Sequence, residues 1–248
     1  MSDTNRPPTA RIGTWNTEWA VPGRAKGGRV RTALADPDCD ILCVTEGSAG
    51  LLPQQGHIID AGTNWGYPLR NEDRRKVLLW SRHPWNEKDC FGRAGFPDGR
   101  IVKGVTETPI GPLTAVGVCI PWEGAHVTSG RKDRKSWDDH KAWLKAFEGL
   151  PWRRTTDRLV VLGDFNQRLP RTRVPIAVHE ALRQAFAGLK ITTAGDVPGA
   201  PGLIDHIAHS KDLQRVSPLG VWPKRRSRGE PLPDHFGVWA NFSLAPPT

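Results

Sequence analysis

The eight residues Leu159 to Asn166, LVVLGDFN, constrain the fold of this chain more than any other stretch. Leu159 to Leu162 form an uninterrupted apolar run of strand length, the mark of a strand covered on both faces, so further layers must lie above and below it. Gly163 breaks the run, and Asp164 and Asn166 follow two residues apart. In extended backbone, positions i and i+2 share a face, so both side chains are expected to enter one space. A carboxylate and a carboxamide at the end of a buried strand are costly unless they hold water, an ion or a substrate.

The same construction recurs along the chain. Strands are expected over Arg11–Trp19, Asp40–Thr45, Lys76–Trp80, Leu113–Ile120, Leu203–Ala208 and Phe236–Phe242, and several of them end in polar groups. Asn16 and Glu18 share a face in Trp15–Trp19, Glu46 directly follows Val44-Thr45, Asp205 lies in LIDHI, and Asp234-His235 precede the last strand. Adjacent residues on a regular strand face opposite ways, so Asp234 and His235 serve one site only if the backbone there is irregular, as Pro231 and Pro233 suggest. Helices are expected near Arg29–Ala35, over Trp137–Leu150 with Ser136 as N-cap and Trp137, Leu144 and Phe147 as its apolar stripe, and from Pro175 onward. Two long Pro/Gly-rich loops, Thr192–Gly202 and Ser217–His235, complete the pattern. Strands mixed with helices throughout indicate a layered α/β fold.

The 248 residues fit one domain, expected over 11–244 between a polar N-terminal tail (1–10) and a short C-terminal tail (245–248). The chain carries a net charge of +9, and 24 of its 35 Lys and Arg are arginine, whose planar fork suits phosphate oxygens. A polyanionic partner is therefore expected. Two basic clusters lie close in sequence to the polar strand ends: Arg168, Arg171 and Arg173 after GDFN, and Lys224, Arg225, Arg226 and Arg228 before Asp234-His235. Cys39, Cys43, Cys90 and Cys119 form no dense framework and read as reduced core residues. No secretory leader or membrane span is legible, so a monomer without membrane contact, located in the cytoplasm, is expected.

Other signals are weaker. His206 and His209 have an HxxH spacing that diverges on a strand, which argues against zinc. Gly23–Arg29 reads as a basic turn. His126 reads as a solvated loop histidine, with assistance to a leaving group as its alternative, and His140 and His179 read as surface or boundary residues. Most of the 11 tryptophans belong to the core, whereas Trp122 and Trp222 lie in expected loops, available to stack on a base or sugar.

Taken in order, the polar strand ends resemble the endonuclease/exonuclease/phosphatase superfamily with the deoxyribonuclease I-like fold, most specifically in GDFN and in the Asp-His pair before the closing strand. The resemblance implies a four-layer α/β sandwich, two mixed β-sheets packed face to face with outer helices. It implies that Glu46 is the principal ligand of a Mg²⁺ or Mn²⁺ ion, with Asn16, Glu18 and Asp234 around the ion or its waters. It further implies that Asp164 orients or deprotonates the attacking water, that Asn166 positions that water or the phosphate, and that His235, oriented by Asp205, hydrogen-bonds the scissile phosphate. The chemistry asks for the same groups: a phosphodiester repels nucleophiles, a divalent cation offsets that charge, and oxygen ligands select a hard cation.

Two positions depart from the family pattern. Cys119 stands where many relatives carry a His or Tyr that assists the leaving group, and Thr45 stands where a Gln often precedes the metal-binding Glu, which together argue against specialised abasic-site repair. The expected activity is a Mg²⁺-dependent phosphodiesterase, a nuclease hydrolysing DNA or RNA. Its rivals are a phosphatase of the same superfamily acting on an inositol phosphate or other small phosphoester, and a catalytically silent nucleic-acid-binding relative.

Overall fold

The computed structural model describes residues 7–91, 99–151, 157–224 and 230–246. Thirteen strands and three α-helices are found among them. The first sheet has the order β11-β13-β1-β2-β4-β3, with β12 also paired to β13. It comprises β1 (Ala10–Asn16), β2 (Ile41–Gly47), β3 (His57–Asp60), β4 (Arg75–Ser81), β11 (Leu213–Arg215), β12 (Gly220–Trp222) and β13 (Gly237–Leu244). The second has the order β5-β6-β7-β8-β10-β9. Its strands are β5 (Trp85–Asp89), β6 (Ile101–Thr106), β7 (Leu113–Cys119), β8 (Leu159–Asp164), β9 (Lys190–Ile191) and β10 (Asp205–His209). Helices α1 (Ala25–Ala35), α2 (Asp138–Glu148) and α3 (Ile176–Ala185) cover the outer faces.

Strand alternation builds three apolar layers. Ile41 and Cys43 of β2 face Val160 and Leu162 of β8 in the layer between the sheets. Their strand neighbours Leu42 and Val44 pack outward with Val30 and Leu34 of α1, and Leu159 and Val161 pack outward with Trp143, Phe147 and Leu182 of α2 and α3. Every residue of β8 is therefore buried, as its unbroken apolar run requires. The result is the expected four-layer sandwich of two mixed sheets.

Topology brings the polar strand ends to one edge of this sandwich. Strands β1 and β2 are parallel neighbours, so Asn16 and Thr45 lie side by side. Antiparallel β13 starts where β1 ends. In the second sheet, β7 and β8 run parallel with Cys119 beside Asp164, and antiparallel β10 starts with Asp205 opposite Asp164.

Several local expectations are corrected. The first strand ends at Asn16, because Glu18 and Trp19 adopt positive φ (49° and 53°), so Asn16 and Glu18 are not neighbours on an extended face. Helix α1 begins at Ala25, inside the expected basic turn. Ser136 is not the cap of α2: Trp137 takes that position at φ 71°, and its indole meets His140 edge-on instead of entering the core. The expected loop 217–235 contains β12, whose Trp222 is buried and stacks on Trp15 with ring centroids 5.5 Å apart. Cys90 is exposed, unlike the other three cysteines.

Candidate active site

Asp164 is the centre of the cluster. The turn that presents it requires Gly163, whose φ is 144° and where a Cβ would lie 1.8 Å from the Val118 carbonyl oxygen. Beyond it, Asn166 turns at φ 53° and donates its backbone N–H to Asp164 Oδ1 (2.9 Å). Asn166 Nδ2 donates to Asp164 Oδ2 (3.1 Å) and to the Ile120 carbonyl (2.8 Å). The flipped amide would set an oxygen against two acceptors, so this orientation is fixed, and Oδ1 is the atom left to accept a hydrogen from water. Asn16 Nδ2 donates to Asp164 Oδ2 (2.9 Å), while Asn16 Oδ1 accepts the backbone N–H of Glu18 (2.9 Å).

Asp205, fully buried, holds the opposite side. Its Oδ1 accepts the Asn16 backbone N–H (2.8 Å), and its Oδ2 pairs with His235 Nδ1 (2.7 Å). Trp15 Nε1 donates to the His235 carbonyl (3.0 Å), so the buried Trp15–Trp222 stack fixes the irregular segment before β13. His235 Nε2 is thereby left facing the cleft, 3.9 Å from Asp234 Oδ1.

Burial and charge set two unusual protonation states. Burial raises the Asp164 carboxyl; the His235 charge opposes the rise and the Asp205 and Glu46 charges add to it, leaving it at about 7. Burial works against a charge on His235, but the charge and hydrogen bond of Asp205, helped by Asp164 and Asp234, raise it to about 10. Burial thus favours the protonated Asp164 carboxyl, and the neighbouring carboxylates favour the charged His235 imidazole. Burial also pushes the Cys119 thiol, beside Asp164 in the neighbouring strand, up to about 12, leaving it a weak acid.

Glu46 sits at φ 49° near the end of β2. Its Oε1 pairs with Lys76 Nζ (2.5 Å), which also lies 5.1 Å from the Trp19 ring. Neighbouring Thr45 is buried, and its hydroxyl finds no hydrogen-bond partner among the described residues. Glu18 is on the rim, paired with Lys26, and accepts the Asp234 backbone N–H (3.1 Å). Asp164, Asp205 and His235 bring ligand atoms within 4.8 Å of one another. Near this cluster Glu46, the Asn16 carboxamide and Asp164 supply the oxygen donors that a hard cation takes.

The basic residues divide. Arg168 and Arg173 line a recess of about 570 Å³ together with Asn166 and Glu123. Arg171 turns away, donating to the Val174 carbonyl (2.8 Å). Lys224 stands over the Phe236 ring at 4.8 Å, and Arg225, Arg226 and Arg228 lie outside the described residues.

Three histidine expectations are resolved. His126 is buried, not solvated: its ring nitrogens meet Asp139 of α2 and the Gly66 carbonyl, so it ties a loop to the start of that helix and is not available to assist a leaving group. His140 is also buried, with burial lowering it to about 4. It donates from Nδ1 to the Pro121 carbonyl (2.6 Å) and accepts from Gln167 Nε2 (2.8 Å). His206 pairs with Thr193 and the Gln167 carbonyl, and His209 with the Ser210 carbonyl, each separately, as the divergent spacing requires. Two residues near the cluster escaped the sequence reading, Lys76 and the buried Arg100.

The model of the endonuclease/exonuclease/phosphatase family matches residues 13–229. No curated protein matches the chain. Among solved structures, the chain resembles a 3′ phosphatase, NExo, from Neisseria bound to a product DNA hairpin, at 20% identity over 93% of this chain and 98% of the other, with a TM-score of 0.62. The endonuclease domain of TRAS1, a telomere-specific non-LTR retrotransposon, is similar at 16% identity over 96% and 99%, TM-score 0.62. D. rerio TDP2 complexed with a single-strand DNA product follows at 12% identity over 95% and 99%, TM-score 0.62. At such identities the structures attest the shared fold, and the family model extends it to sequence: this chain belongs to the endonuclease/exonuclease/phosphatase family.

Proposed function

We propose that the chain is a Mg²⁺-dependent phosphodiesterase, a nuclease that cuts DNA by attack of water on phosphorus. The observation that carries this reading is the arrangement around Asp164: buried, held by two carboxamides, and gathered with the hydrogen-bonded Asp205–His235 pair, with burial raising its carboxyl toward neutrality. A base poised near neutral pH is suited to taking a proton from water. In this reading Asp164 receives the proton and Asn166 Oδ1 accepts the water's other hydrogen; as the new P–O bond forms, the ester P–O bond opposite it breaks, and the leaving oxygen takes a proton from solvent water. His235 donates from Nε2 to a non-bridging phosphate oxygen, and Asp205 keeps the imidazole charged and oriented. Glu46 and the Asn16 oxygen would hold Mg²⁺ (or Mn²⁺), with Asp234 and Glu18 at the rim within reach of its waters. When bound, the ion supplies Lewis-acid stabilisation of the charge that develops on the phosphate.

The choice of nucleic acid over a small phosphoester rests on charge. Arg168 and Arg173 line a recess of about 570 Å³ that also takes in Asn166, so positive charge extends from the cluster, and Lys224 with the arginines that follow it contributes to the excess of +9. Two structural neighbours are described with DNA products. The test is a panel of labelled DNA, labelled RNA and inositol phosphates incubated with Mg²⁺ or Mn²⁺. Hydrolysis of the polymers supports the proposal, and release of phosphate from the inositol phosphates alone would replace it with the phosphatase reading.

A further inference from the structure

Lys76, the ion-pair partner of Glu46, lines a second cleft, of about 480 Å³, within the range of pockets that seat a small molecule. Among the described residues, four cations line it, Arg70, Arg74, Lys76 and Arg100, and no carboxylate does. Lys76 has Glu46 as its partner. Arg100 is different. It is 3% exposed, its Nη1 donates to the Cys119 carbonyl (3.3 Å) and lies 4.0 Å from Cys119 Sγ, and no carboxylate is within ion-pair distance among the described residues. A buried guanidinium without a counterion is costly, and its planar fork matches a phosphate.

The aromatic walls of the same cleft are not equivalent. Trp19 is covered: Trp65 stacks on it at 5.8 Å, and Arg74 stands over it at 4.9 Å. Tyr67 is covered by His126 at 4.4 Å. Trp122 is 49% exposed. Its indole rests against Gly124, where a Cβ would lie 2.4 Å from the ring, so one face is backed by the chain and the other meets solvent. Trp122 also follows closely on Ile120, which is bonded to both Asp164 and Asn166. An open aromatic face thus stands two residues beyond a segment hydrogen-bonded to Asp164 and Asn166.

We propose that this cleft seats one unstacked nucleotide, its base on Trp122 and its phosphate on Arg100, so that the enzyme prefers single strands or frayed ends over the interior of a duplex. The proposal rests on the nuclease reading and adds the substrate's form to it. A base inside a duplex has both faces occupied by its neighbours, and only one withdrawn from the stack has a face for Trp122.

The experiment measures anisotropy of a dye-labelled oligonucleotide, single-stranded or annealed to its complement, against the full chain carrying Asp164→Asn in EDTA. Adding Trp122→Ala is expected to weaken single-strand binding about tenfold and duplex binding less than twofold, and Trp122→Phe is expected to recover most of the loss. Arg100→Lys, which keeps the charge but not the fork, is expected to weaken the single strand selectively as well. If Trp122→Ala leaves both forms unchanged, or weakens them equally, the seat is refuted, while hydrolysis by the unmodified chain would leave the nuclease reading standing. If the unmodified chain neither binds nor cuts any nucleic acid, both fall together.

Discussion

At Asp164 three constraints meet: the glycine before it, the carboxamides on either side, and the Asp205–His235 pair across the strand. The sign of its consequences can be worked out. His235, raised to about 10 from 6.5, contributes stability that is fully present below pH 6.5 and lost as pH rises toward 10. Replacing His235 by Gln is therefore expected to lower the melting temperature more at pH 6 than at pH 10 in metal-free protein, and an equal loss at both would mean the imidazole is not charged in the fold. Asp164, raised to about 7 from 3.8, favours the fold below pH 3.8 and loses that contribution as pH rises through 7. Glu46→Gln keeps a side chain able to accept from Lys76, so circular dichroism should show the fold retained while turnover with Mg²⁺ falls roughly 10³-fold or more. Near-normal turnover would remove Glu46 from the ion's ligands. Glu46, Asp164, Asp205 and His235 were legible because each ends or begins a buried strand, where an idle acid is costly. Lys76 and Arg100 were not, because a cation at the head of a strand reads as solvated until the opposite sheet is known. His126 and His140 were misread for a related reason: position in a loop or helix does not reveal which face will be covered.

The central elements follow from their composition. Strands β2, β7 and β8 carry apolar residues on both faces and lie inside their sheets, with β7 and β8 parallel, as unbroken apolar runs demand. The edge strand β3 has exposed residues, β5 is polar along most of its length, and β9, β11 and β12 are two or three residues long. Their pairing is dictated by a neighbour and not by their own periodicity, so sequence alone did not reveal them. The decisive local element is the β8 exit. Gly163→Ala would set a methyl group against the Val118 backbone at a φ that L-residues rarely adopt, and it is expected to cost at least about 3 kcal/mol. Urea unfolding checks this, and a loss under about 1 kcal/mol would show that the β7–β8 contact relaxes easily.

Across the whole molecule, three apolar layers carry the fold and one edge carries the chemistry, with basic residues on both flanks of that edge. If Lys224, Arg225, Arg226 and Arg228 contact a nucleic-acid backbone, each lost contact should lower the salt slope of binding by about 0.7 to 0.9. Reversing the charge of the cluster should then weaken all sequences alike. A slope unchanged by that reversal would place the polymer elsewhere on the surface. The sandwich itself was legible from the alternation of strands and helices, but the convergence of its strand ends depended on which strands run parallel, a long-range property that no local pattern encodes. The most direct measurement is cleavage of end-labelled DNA by the chain and by its Asp164→Asn variant, each with Mg²⁺ and with EDTA. Cutting by the unmodified chain with Mg²⁺, none in EDTA and a loss of roughly 10³-fold or more in the variant are expected. Undiminished cutting in EDTA or by Asp164→Asn would contradict the role given to this cluster.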